Sequence, residues 1–141
     1  MSTSSLTAGS AGTSGSASAA ILVGRILLSI MFILAGYAKL TGIAGTAGWF
    51  ESLGIPAPTL AAIASGLVEL VGGLAILVGF KTRIAALVLA AFTVAATLIA
   101  HTNLADQVQQ LLFMKNLAVT GGFLILAAAG AGALSVDARR G

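Results

Sequence analysis

Residues 57–79 read APTLAAIASGLVELVGGLAILVG. This run carries one ionisable side chain, Glu69, near its middle. A helix crosses the hydrocarbon core of a bilayer in about 20 apolar residues, so the run is long enough to span. Its apolar residues are continuous, which argues against the period-two pattern of a barrel strand. A helix also satisfies each backbone group internally, as lipid demands. Three similar runs accompany it: Ala20–Leu40, Ile84–His101 and Leu112–Leu134. The expected fold is all-α, an integral membrane four-helix bundle spanning residues 20–137.

Composition agrees. The 141 residues are 58% hydrophobic and 8% charged, with a mean hydropathy of +1.08. Soluble domains carry roughly 45–50% apolar and about 25% charged residues. Seven Lys and Arg and four Asp and Glu are too few to cover a water-soluble domain. The cations are scattered, so a nucleic-acid partner is not expected. Cysteine is absent, which removes thiolate metal sites and Cys nucleophiles, and one histidine cannot build a His-rich metal or haem site. No metal and no intrinsic cofactor are expected.

Residues 1–19 are almost all Ser, Thr, Gly and Ala, and are expected to form a mobile tail. They lack the basic region of a signal peptide, so the first apolar run reads as a retained helix. Phe80–Arg83 reads as a tight hairpin. Thr41–Pro56 is a longer connection in which Trp49, Phe50 and Leu53 share a helical turn at the interface. Thr102–Leu111 reads as a polar loop, and residues 138–141 as a short basic tail. With four helices, Arg25, Lys81, Arg83, Arg139 and Arg140 fall on the side of the termini. The positive-inside rule then puts both termini in the cytoplasm.

Ionisable residues in a spanning helix cost roughly 2.5–3.5 kcal/mol each on insertion scales. Five stand out: Arg25, Lys39, Glu69, His101 and Lys115. Helical spacing sets Arg25, Ser29, Phe32, Gly36 and Lys39 on one stripe. It sets Ala62, Ser65, Gly66, Glu69, Gly72 and Gly73 on another, Thr93, Thr97 and His101 on a third, and Lys115, Ala118, Gly122, Ala129 and Gly132 on a fourth. Small residues mark helix–helix contact faces in membranes, so the polar residues are expected to face inward. Two layers follow. Arg25 is expected to reach Glu69, while Lys39, His101 and Lys115 form a ring near the outer end, to which Glu51, Asp106 and Asn116 could add. For Glu69 the alternatives are an ion pair that fixes helix register and a proton- or quinone-linked carboxylate. His101 is either interfacial or a proton donor to a ligand headgroup. Lys39 and Lys115 either snorkel to outer headgroups or help build a site.

The chain resembles the DoxX family of small bacterial membrane proteins. The resemblance is carried by Gly24-Arg25, Gly36-Tyr37-Ala38-Lys39-Leu40, and Trp49-Phe50-Glu51-Ser52-Leu53-Gly54-Ile55-Pro56. It continues through Leu67-Val68-Glu69-Leu70-Val71-Gly72-Gly73, Gly79-Phe80-Lys81-Thr82-Arg83, His101, Lys115-Asn116-Leu117 with Gly121-Gly122, and Leu134-Ser135-Val136-Asp137. It covers about Ile21–Asp137. It implies a four-helix bundle in a bacterial inner membrane, and a link to quinone-coupled sulfur oxidation or to membrane complexes that handle oxidative stress. Without cysteine, any thiol chemistry would come from a partner. The leading expectation is a redox-linked accessory subunit. It would bind a quinone, lipid or small ligand among Arg25, Lys39, Glu69, His101 and Lys115, or dock an oxidoreductase partner or a second copy of itself. The alternatives are a purely structural subunit of a larger complex and a small transporter. The sequence assigns no catalytic residue.

Overall fold

The computed structural model describes residues 14–140. Four long helices, α1 (Gly15–Thr41), α3 (Pro58–Val78), α4 (Thr82–Ala100) and α5 (Gln107–Ala129), are each long and apolar enough to cross a membrane. Two short helices, α2 (Ile43–Ser52) and α6 (Val136–Arg140), complete the described residues, which contain no strand. The all-α membrane bundle expected from the sequence is therefore the fold.

Several boundaries differ from the sequence reading, each for a local reason. Helix α1 begins at Gly15 rather than Ala20, because the Ser14 hydroxyl accepts a hydrogen bond from the Ala17 amide at 3.1 Å and caps it. The rest of the expected tail, residues 1–13, lies outside the described residues. The connection after α1 holds a ten-residue helix, α2, instead of a single turn. Helix α5 starts at Gln107 and ends at Ala129, about five residues earlier than the apolar run suggests. The Asp106 carboxylate caps it, accepting from Val108 N at 2.9 Å and Gln109 N at 3.1 Å. The polar residues Gln107, Gln109 and Gln110 are thus its first turn, and Gly130 (φ +82°) stops it. Residues 136–140 form α6 where part of a basic tail was expected.

The long helices pack as two tight pairs, α1 with α3 and α4 with α5, and the pairs meet through α3 and α4. Glycine sets the first contact. A Cβ on Gly36 would stand 2.5 Å from the Leu70 amide nitrogen and 2.7 Å from the Gly66 carbonyl oxygen, so the α1 and α3 backbones touch there. Gly73 faces α1 at Ile33, and Gly72 faces α4 at Leu89. The core between the pairs is Phe32, Ile76, Leu89, Phe123 and Leu126. Phe32 meets Phe123 edge-on, centroids 5.2 Å apart. Outward positions such as Leu27, Val71, Leu98 and Ile125 are exposed and apolar, as a lipid-facing surface requires.

The inward faces of α1, α3 and α4 match the stripes read from the sequence: Arg25, Ser29, Phe32 and Gly36; Ala62, Gly66, Glu69 and Gly73; Thr93 and Thr97. Helix α5 does not match. It buries Asn116, Phe123 and Leu126, while Lys115, Ala118 and Ala129 are exposed. Phe123 is needed to fill the space opposite Phe32, and that choice rotates the small-residue stripe away from the interior.

Arg25 also departs from expectation. It is fully buried but makes no pair with Glu69. Its guanidinium donates to four backbone carbonyls: Nε to Ile76 at 3.0 Å, one terminal nitrogen to Leu77 at 2.8 Å, and the other to Ala131 at 2.9 Å and Leu134 at 2.8 Å. Helical side chains tilt toward the N-terminus of their own helix. On α1 that direction carries Arg25 away from Glu69. Gly79 sits beside Arg25, and the ten residues from Glu69 to Gly79 correspond to about 15 Å of helix.

Arg25 thereby ties the last turn of α3 to the segment after α5. Two further contacts close the same end. Asp137 accepts from Lys81 N at 2.6 Å and Thr82 N at 2.9 Å, capping α4 from α6, and its own amide donates to Gly79 O at 2.8 Å. Arg83 donates to the Ala127 and Ala128 carbonyls at 3.0 and 2.7 Å, satisfying the end of α5.

Candidate functional site

At the opposite end the two helix pairs leave a cavity of about 370 Å³. Lys39 enters it from α1, Glu69 and Ser65 from α3, Thr93 from α4, and Lys115 and Asn116 from α5. His101, one residue past the end of α4, lies on its wall as well. Apolar walls come from Met31, Phe32, Phe92 and Ile99 of the long helices, and from Trp49, Phe50 and Leu53 at α2. Helix α2 is held in place by Ala47 and Phe50 packing on Ala62 of α3.

Four of the five residues singled out from the sequence therefore share one space: Lys39, Glu69, His101 and Lys115. Arg25 does not. It lines a separate cavity of about 380 Å³ at the end of the termini. Of the residues expected to add to the ring, Asn116 lines the cavity; Glu51 is exposed and Asp106 is occupied as the α5 cap.

Glu69 is paired, but with Lys39. The Lys39 ammonium lies 2.6 Å from Glu69 Oε1, the two side chains being 22% and 6% exposed. The N-terminal tilt that carries Arg25 away from Glu69 carries Lys39 toward it. Oε1 has no hydrogen-bond donor in directed geometry, so the contact is a charge pair rather than an aligned bond. In a low-dielectric interior such a pair holds because either charge alone would be far more costly.

A polar ladder stands across from this pair. Asn116 Nδ2 donates to Thr97 Oγ1 at 2.8 Å. The Thr97 hydroxyl donates to the Thr93 carbonyl at 2.6 Å, and that of Thr93 to the Leu89 carbonyl at 2.7 Å. The Asn116–Thr97 bond ties α5 to α4 and fixes the Asn116 side chain at the cavity wall, while the two threonine bonds stay within α4. His101 N donates to Thr97 O at 2.9 Å, ending α4, and buried Nδ1 has no partner among the described residues. Burial, and then the charge of Lys115, hold the His101 pKa below its ordinary 6.5, so the imidazole is neutral at physiological pH.

Sequence reasoning passed over Phe92 and Met31, which line the cavity, and the capping role of Asp137. An aromatic or Met in an apolar run has no sequence mark that separates core from cavity wall. Among the described residues no group of His, Asp and Glu could hold a metal ion.

Comparison with known proteins agrees with this architecture. The family model DoxX matches residues 20–102. The inner membrane protein YqjF of Escherichia coli (strain K12) is 50% identical over 117 residues, covering 83% of this chain and 88% of that protein. The inner membrane protein YphA of the same organism is 36% identical over 124 residues, covering 84% and 89%. CatD of Bacillus subtilis (strain 168), whose oxidoreductase designation is provisional, is 37% identical over 60 residues, 43% of each chain. No solved structure matches. With the family model matching more than half its length, the chain belongs to the DoxX family.

Proposed function

We propose that this protein is a redox-linked accessory subunit of a bacterial inner membrane that binds a quinone, lipid or other small ligand in the cavity among Lys39, Glu69, His101 and Lys115. The observation that carries this reading is the convergence of those four side chains, from three long helices and one helix end, on one apolar-walled space. Ligand pockets are mostly apolar, with a few polar groups that orient the ligand, and this cavity lies at the small end of their usual range of about 300–1,000 Å³. The partial likeness to CatD supports the redox link, and the names of YqjF and YphA support the inner membrane. Lys81, Arg83, Arg139 and Arg140 at the end of the termini support a cytoplasmic location for both termini. The exposed apolar helix faces leave room for lipid or for a partner oxidoreductase.

The test is ligand content. Protein purified from membranes in mild detergent is extracted, and its quinone and lipid are quantified. Ala96 lines the cavity from α4, and Ala96→Phe fills it. The expected result is a bound amphiphile at near-stoichiometric level, reduced severalfold in Ala96→Phe and in His101→Ala. Equal content in wild type and both variants refutes a ligand in this cavity.

A further inference from the structure

The charges around the cavity do not balance. Its titratable residues are Lys39, Glu69, His101 and Lys115. Lys39 and Glu69 neutralise each other at 2.6 Å. His101 contributes no charge at physiological pH. Lys115 makes no ion pair or side-chain hydrogen bond among the described residues. It lies eight residues into α5, about 12 Å from that helix's start. The cavity thus carries one positive charge without a partner among the described residues, on the exposed Lys115 at its edge beside apolar walls, an arrangement that favours a negative partner.

A neutral ligand would gain nothing from that charge. A dianion would overshoot it, and a cation would be repelled. We propose that the cavity selects an amphipathic monoanion, with one oxygen-centred negative charge at Lys115 and an apolar body against Phe32 and Phe92. His101 Nδ1, buried and unpartnered, supplies a donor for the second oxygen of the head when it carries the imidazole proton. The pair Lys39–Glu69 sets a neutral polar floor, so the positive potential is confined to one side of the site. This inference rests on the cavity being a ligand site and adds the chemical class of what it takes.

Trp49 is the chain's one tryptophan and lines the cavity, which makes it a built-in reporter. The protein is placed in phosphatidylcholine nanodiscs at alkaline pH, and Trp49 quenching is followed with 10-bromodecanoic acid and with 10-bromodecanol, each corrected for partition into lipid. The expected result is saturable quenching by the acid at about tenfold lower concentration than by the alcohol. Lys115→Gln is expected to abolish that preference and Lys115→Arg to retain it. Saturable quenching with equal affinity for acid and alcohol, or a preference unchanged in Lys115→Gln, overturns the charge selection and leaves the ligand site standing. Quenching that never saturates with either probe overturns both.

Discussion

Arg25 is a buried arginine whose charge is met by carbonyl dipoles instead of a carboxylate. Four of its N–H groups are used, in two directions, toward α3 and toward the segment after α5. Lysine has a single compact head and cannot reach four carbonyls in a planar fork. Arg25→Lys is therefore expected to destabilise the fold by about 1–3 kcal/mol, and Arg25→Leu by more, read from unfolding in detergent. Ligand content per folded molecule should not change, because Arg25 lies outside the cavity among Lys39, Glu69, His101 and Lys115. Asp137 offers a second test at this scale. Partial desolvation raises its pKa, but hydrogen bonds from Thr82 and Lys81 and the charge of Arg140 outweigh it, so the carboxyl sits below its ordinary 3.8. A carboxylate lowered by folding stabilises the native state above its unfolded pKa and loses that contribution as pH falls through the folded value. Wild type should exceed Asp137→Ala by about 1 kcal/mol at neutral pH, the usual worth of a helix cap. The gap should close as the pH falls below that ordinary value, in thermal melts taken across the acid range.

At the scale of elements, the α1–α3 contact carries the clearest prediction. Gly36→Ala puts a methyl group into the α3 backbone, and the pair must part or shift, at about 1–3 kcal/mol. Gly24 is on the same helix with nothing within 4 Å of its added Cβ. Gly24→Ala is expected to be neutral or stabilising by up to about 1 kcal/mol, since glycine is the poorer helix former. The contrast, measured by the same unfolding assay, separates helix packing from helix propensity. The elements also show what a sequence makes legible. The four spans are readable because lipid demands length and continuity of apolar residues, and both are written in the chain. That Lys39, Glu69, His101 and Lys115 stand out is readable because ionisable residues are rare in such runs; that Glu69 pairs with Lys39 rather than Arg25 is not. The partner of Arg25 was not, because backbone carbonyls have no residue type. The inward face of α5 was not either: Gly and Ala tolerate interior and surface alike, and Phe123 outcompetes them for the core. The first turn of α5 was hidden by its glutamines, which hydropathy assigns to a loop and the Asp106 cap assigns to a helix.

For the whole molecule, the two ends are built differently. One is tied by backbone hydrogen bonds through Arg25, Arg83 and Asp137. The other is held open by side chains around a cavity, with α2 as its rim. Rigidity at one end and space at the other is the arrangement a ligand site needs, since the helices must be fixed before their side chains can be held at a distance. The excess of Lys and Arg at the tied end supports the orientation proposed above. A periplasm-active phosphatase fused after Arg140 is expected to be inactive, and one inserted in the connection at Leu104 active. The reverse pattern would refute a cytoplasmic location for the termini.

The bonds from Arg25 to Ala131 and Leu134 join positions separated by 106 and 109 residues. A ribosome adds residues in order, so the arginine is made long before these carbonyls exist. Through most of synthesis the first span carries a charge for which two of its four final partners, Ala131 and Leu134, have not been translated. That makes the finishing of the bundle a late event, timed by the emergence of the segment after α5, and it makes the nascent chain dependent on water, headgroups or the insertion machinery to shelter Arg25 until then. A chain arrested before residue 131 would hold all four spans and still lack half of what secures the first of them.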